Sequence, residues 1–181
     1  HCVIADHIRM LCFSIADGAL PSNDGQGYVL RRILRRASRF GRKIGLNEPF
    51  LYKLVKEVKT LMEDTYPELS EKYVHIKKVI LSEEESFGKT LDRGIAHFDK
   101  VVSNLKVNHL SGEEAFKLYD TYGFPIDLTV LMAKEQSLTI DESGFQKHMQ
   151  LQKIRAKKTA KFVLDRDEIK WQILSKGSHS K

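Results

Sequence analysis

The sequence predicts a mainly all-α fold, a helical bundle with one long helix or helical hairpin and negligible β-structure. Three observations predict it. Of 181 residues, 30% are charged and only four are proline, a balance that suits helices over loop-rich architectures. Apolar residues recur at steps of three, four and seven along most of the chain, the spacing of amphipathic helices. Glycine and proline clusters interrupt that spacing at only a few places. With 41% hydrophobic residues the chain can bury a core, and its length fits one domain or slightly more.

Each element follows in order. Val3, Ile4, Ile8, Leu11, Cys12 and Ile15 share a helical face over residues 2–16, and Asp17-Gly18 followed by residues 20–25 stops it. A second helix is expected from about Gly27 to Ile44, with Gly45 as its C-terminal glycine. Asn47 and Pro49 suit the N-cap region and first turn of a third helix. Its core stripe is Phe50, Leu51, Leu54, Val55, Val58, Leu61 and Met62. Pro67 opens a long pattern through Leu69, Tyr73, Ile76, Ile80, Phe87, Leu91, Ile95, Phe98, Val102 and Leu105. It is one long helix or two collinear ones broken near Gly88 or Gly94. Within it, Glu83-Glu84-Glu85 reads as a solvated face. Ser111 to Glu114 matches a capping box and starts a short helix ending at "YDTYGFP". Pro125 starts another through about Glu135; Leu138 to Ile140 is extended; Asp141 caps a final helix to about Lys158, and the tail from Lys161 reads as a linker or the edge of a further domain.

Charge is unevenly placed. Residues 1–66 hold 11 basic and 7 acidic groups, residues 67–144 hold 9 and 14, and residues 145–181 hold 10 and 3. The net charge of +6 suggests a polyanionic partner, whose binding face is expected from the two basic ends. Cys2 and Cys12 lie about 15 Å apart on one helix, too far for a disulfide, and read as buried thiols of a reducing compartment. No apolar run exceeds four residues, so neither a membrane span nor a signal peptide is expected. The chain opens on His1 inside an amphipathic pattern and ends on a polar tail, as an excised piece would. His1 and His7 with the two cysteines lack metal-ligand spacing, and Asp6-His7 reads as a helix-surface pair. No nucleophilic triad or carboxylate pair is evident.

The segment from Leu20 to Gly45 carries the chemistry. Gly25 and Gly27 begin a G-x-G-x-x-G pattern, but its third position is Leu30 and no apolar strand precedes it. A nucleotide cradle is therefore disfavoured. On a helical wheel Leu30, Ile33, Leu34, Ala37, Phe40 and Ile44 take one side, and Arg31, Arg32, Arg35, Arg36, Arg39, Arg42 and Lys43 the other. No acidic residue occurs between Gly25 and Asn47. A row of like charges is unfavourable without partners, and arginine suits bidentate phosphate contacts. Nucleic-acid backbone binding is the favoured reading, against a solvated face or pairing with acids elsewhere in the fold. Phosphate contacts carry no base information. Two short polar side chains on turns could supply it: Asn23, ahead of the arginine helix, and Asp120, in "YDTYGFP". From the residues alone each reads more simply as an ordinary turn or cap residue.

The stretches "ADHIRM", "IADGALPSNDGQGYVLRRILRRASRFGRKIG", "EEESFGKTLDRG" and "AFKLYDTYGFPIDLT" resemble the alanyl-tRNA synthetase family from His1 to about Lys158. The resemblance implies that residues 1–160 form the helical tRNA-recognition region. In the family that region lies between a class II aminoacylation core and an editing domain, both of which would be neighbours in the same chain. Residues 161–181 would be a linker or the edge of the next domain. It implies an ATP- and magnesium-dependent, cytoplasmic alanine ligase with a zinc site outside this region. This region holds no cofactor or metal, and alone would be catalytically inactive. It implies a tRNA(Ala) acceptor stem as partner, with Asn23 and Asp120 reading its G·U wobble pair. Arg31, Arg32, Arg35, Arg36 and Arg39 would hold the backbone. The basic stretch from Lys147 to Lys161 could add a second contact or only solubilise the last helix. The rival reading is a structural connector with little RNA affinity.

Overall fold

Helices form wherever the apolar period is sustained. The computed structural model describes residues 2–105 and 107–166, with side chains up to residue 156. Among them are α1 (Cys2–Ala16), α2 (Gly25–Lys43), α3 (Leu51–Met62), α4 (Glu68–Glu71), α5 (Tyr73–Ser103), α6 (Gly112–Tyr122), α7 (Ile126–Glu135) and α8 (Glu142–Arg166). Two short strands, β1 (His109–Leu110) and β2 (Thr139–Ile140), pair in parallel, His109 opposite Thr139 and Leu110 opposite Ile140. The fold is mainly all-α, as expected.

The helices close around two cores joined by α5. Leu11, Ile15, Leu34, Leu51, Val55, Ile76 and Ile80 centre the first, between α1 to α4 and the start of α5. Phe87, Leu91, Phe98, Leu118, Phe124, Leu128 and Phe145 centre the second, between the rest of α5, α6, α7, the strand pair and the start of α8. At 31 residues, α5 runs about 46 Å. It does not break at either glycine. A Cβ at Gly94 would overlap the Phe124 ring, so this glycine admits the second core against the helix instead of interrupting it.

Several expectations are corrected. Glu83 and Glu84 are not solvated: both are buried, and only Glu85 of the run is exposed. They lie between Ile80 and Phe87, three and four residues beyond one core position, so the helical period itself turns them inward. Glu84 caps α3 from a distance. Its carboxylate accepts from the backbone N–H of Phe50, Leu51 and Tyr52, each at 3.0 Å. This explains why α3 begins at Leu51 and not beside Asn47. Burial pushes the Glu84 carboxyl above its ordinary range, against the pull of those three donors.

Leu61 leaves the expected stripe and is 82% exposed, on the wall of an apolar groove with Ile4, Ile8 and Leu54. Cys2 is exposed; Cys12 is buried, and burial pushes its thiol up to about 12. Asp6 pairs with Arg9 at 3.2 Å as well as facing His7, which lies half-buried near Arg36; burial first and then Arg36 lower the His7 pKa, against the opposing pull of Asp6. The capping box forms by half. Ser111 Oγ accepts from Glu114 N, while the Glu114 carboxylate turns to His97 at 2.8 Å. Helix α8 continues past Lys158 to Arg166, so the first residues of the expected linker are helical. Residues 167–181 lie outside the described residues.

Glu84→Ala should leave three N–H groups of the first turn of α3 without their acceptor. We expect a loss of roughly 2–3 kcal/mol in urea unfolding, with Glu84→Gln losing less because one acceptor oxygen remains.

Candidate nucleic-acid interface

The loop before α2 and the end of α6 meet at the seam between the two cores. Ser22 Oγ donates to the Asp24 carbonyl at 2.8 Å, tightening the turn that exposes Asn23. Gly27 lets this loop lie against the helix, because a Cβ there would overlap the Leu20 carbonyl and the Ser22 hydroxyl. Gly27 thus seats a turn against α2. Across the seam, α6 ends in a left-handed Gly123 with φ +72°, leaving Asp120 exposed on its last turn. Asn23 and Asp120, 97 residues apart, line one cavity of about 380 Å³. Tyr28, Arg31 and Arg35 join Asn23 on one side, and Tyr119, Gly123, Pro125 and Gln152 join Asp120 on the other. Both side chains already have partners: Arg31 Nη1 donates to Asn23 Oδ1, and Gln152 Nε2 donates to Asp120 Oδ1. The Tyr28 phenol is raised by burial and by Tyr119, which favours its neutral form.

The arginine row faces the fold. Arg35 Nε and Nη2 donate to Glu83 Oε1 at 2.9 and 2.7 Å, and Nη1 donates to the Gly123 carbonyl. Arg31 Nε lies 3.2 Å from the same carboxylate oxygen, near enough for an ion pair, though this nitrogen makes no hydrogen bond. Arg32 reaches Asp127 at 2.8 Å, and Arg39 holds Glu135 with two hydrogen bonds of 3.0 and 2.6 Å. Arg42 holds Asp92 at 2.8 and 3.2 Å, and Lys43 lies 3.2 Å from Glu135. Of the seven cations, only Arg36 has neither hydrogen bond nor ion pair among the described residues. The missing compensation within α2 comes from α5 and α7. The acids lie in the negative middle third of the chain, whose charge is met by the first basic segment.

Sequence reasoning missed Gln152, Tyr28 and Tyr119 as cavity walls and Glu83 as the node of two ion pairs. Glu83 had a signal, its place on the apolar period of α5. Gln152 had none, since one amide in a basic helix carries no pattern. The larger apolar groove between α1 and α3, about 730 Å³, lacks the clustered polar groups that recognition of a base edge requires. Among the described residues no three His, Cys, Asp or Glu gather to hold a metal, and no helix is long and apolar enough to cross a membrane.

Comparison with known proteins agrees with the resemblance. A family model described as tRNA synthetases class II (A) matches residues 1–178. The chain is 55% identical over 163 residues to an alanine–tRNA ligase of Francisella tularensis subsp. tularensis (strain WY96-3418), covering 90% of this chain and 19% of that protein. It is 56% identical over 158 residues to an alanine–tRNA ligase of Streptococcus sanguinis (strain SK36), covering 86% of this chain and 18% of that one. The chain thus spans about a fifth of the length of these relatives.

The ion pairs along α2 carry three predictions. Glu83 is nearly buried, so Glu83→Ala strands the Arg31 and Arg35 guanidinium groups and should cost roughly 3 kcal/mol in chemical denaturation. Asp92, whose side chain is 66% exposed, should cost under about 1 kcal/mol when replaced by Ala. The hydrogen bond from Arg39, helped by Lys43, holds the Glu135 carboxyl at about 2, below its ordinary 4.5. Its ionised form therefore stabilises the fold above pH 4.5, and this contribution is lost as pH falls towards 2. The stability gap between the wild type and Glu135→Gln, followed by circular dichroism, should narrow across that window.

Proposed function

We propose a function from the family to which this chain belongs, the tRNA synthetases of class II (A): it forms the acceptor-stem recognition region of an alanine–tRNA ligase. In this reading residues 1–160 position tRNA(Ala) through its G·U wobble pair for ATP-dependent alanylation. Catalysis and editing belong to neighbouring domains of a longer, cytoplasmic enzyme. The observation that carries the proposal is the shared cavity: Asn23 and Asp120, distant in sequence, face one polar cleft walled by two tyrosines and two arginines.

The chemistry fits a wobble pair. Its guanine amino group is left unpaired in the minor groove, where the Asp120 carboxylate can accept from it. The Asn23 amide, with both donor and acceptor, can test an oxygen of uracil or guanine. Short side chains on turns suit the wide, shallow minor groove of A-form RNA. The arginines divide into two roles. Arg31, Arg35 and Arg39 have side chains 21%, 16% and 11% exposed and hold the fold. Phosphate contact falls first to Arg36, and to Arg32, whose side chain is 38% exposed beside Asp127.

The pairing of six of the seven cations on α2 favours one rival, a structural connector between catalytic domains. The full-length enzyme separates the two. Asn23→Ala and Asp120→Ala should each remove roughly 1–3 kcal/mol of preference for G·U over G·C, read as a ratio of kcat/KM. Preference that survives both changes would sink the assignment. Failure of this chain to bind an acceptor-stem duplex at low salt would favour the connector.

A further inference from the structure

Both proposed base-reading side chains are oriented by a neighbour that can only donate to them. A guanidinium has no acceptor, so Arg31 obliges the Asn23 amide to turn its oxygen inward and leaves the NH2 group for a ligand. Gln152 does the corresponding work on Asp120. A carboxylate only accepts, so the Gln152 amide presents Nε2 to Asp120 Oδ1, and Oδ2 keeps no protein donor among the described residues. Asp120 is exposed, and an exposed side chain with no partner samples several rotamers.

The type of residue matters as much as the contact. Lys147 and Lys153 lie along the same helix, yet the group that meets Asp120 is a neutral amide. A cation would tie up the carboxylate charge and compete with an incoming amino group. An amide fixes one oxygen and leaves the charge to strengthen the other as an acceptor.

We propose that Gln152 of α8 is a positioning residue for base recognition, aiming the free oxygen of Asp120 at the exocyclic amino group of guanine. The inference rests on the reading of Asp120 as a base contact. It gives α8 a part in the site through one neutral residue and not through its basic stretch.

The test uses the full-length synthetase and two acceptor-stem RNAs, one with G·U and one with inosine in place of that guanine, which deletes only the amino group. The readout is the ratio of kcat/KM between them. Gln152→Leu and Gln152→Ala both remove the donor with different bulk. Each should shrink the wild-type ratio by roughly three- to tenfold, the order of one hydrogen bond, while activity on the inosine stem stays within about twofold. Equal losses on both stems would mean a structural role and overturn the proposal, as would an unchanged ratio. Asp120→Ala separates the two levels. If it collapses the ratio and the Gln152 variants do not, positioning alone fails. If it leaves the ratio intact, the base-contact reading fails first.

Discussion

The Glu83 carboxylate is the contact on which the seam depends. It sits on α5 where the helix passes from one core to the other, a turn beyond Ile80 and a turn before Phe87, and it pairs with Arg31 and Arg35 together. Arg35 then continues to the Gly123 carbonyl at the end of α6, and stacks over the Phe87 ring at 5.0 Å. One acidic side chain thereby joins α2, α5 and the α6–α7 turn. Buried ion pairs rarely add much stability, because desolvation offsets most of the attraction. Their geometric demand is strict, however. Bidentate and shared contacts of this kind hold the seam in one register, and a cleft built from two separate cores needs that to keep its shape.

The register sets what the cleft can present. Asn23 is held by Arg31, which is itself held by Glu83. Asp120 ends a helix whose final turn is tied to Arg35 through Gly123. In the proposed reading the arginines therefore act at one remove from the RNA. They fix two short side chains, and those side chains read the base pair.

Much of the fold was legible because it follows from periodicity. The bounds of α1, the Pro125 start of α7 and the Asp141 turn before α8, where Asp141 Oδ1 accepts from Gly144 N at 2.8 Å, are local matters of spacing and capping. What escaped was settled by contacts distant in sequence. Glu84 moves the start of α3 from 34 residues away, and Asp127 and Glu135 answer arginines more than 90 residues earlier. A helical wheel shows which side a charge takes and is silent on whether water or a carboxylate waits there. The site was legible in the same uneven way. Asn23 and Asp120 were visible as short polar side chains on turns, but only the resemblance set them above ordinary turn residues, and their meeting in one cavity is a product of the tertiary fold. Gln152 left no trace in the sequence, since its contact with Asp120 depends wholly on where α8 lies.

The neutralised arginine row bears on how a synthetase region could discriminate at all. Seven free cations on one helix would bind any RNA duplex, with an affinity that rises steeply as salt falls and carries no base information. Such a term adds equally to correct and incorrect stems and leaves their ratio untouched. Six of the seven are held against Glu83, Asp92, Asp127 and Glu135; in the proposed reading this lowers that common term and places the weight on contacts that differ between stems. Specificity is a difference of affinities, and a lost polar contact to a base counts fully in that difference. The long row of arginines draws the eye first, yet in the proposed reading its contribution to recognition is chiefly rigidity. In the proposed reading the discriminating chemistry falls to one amide and one carboxylate at the mouth of a cleft of about 380 Å³.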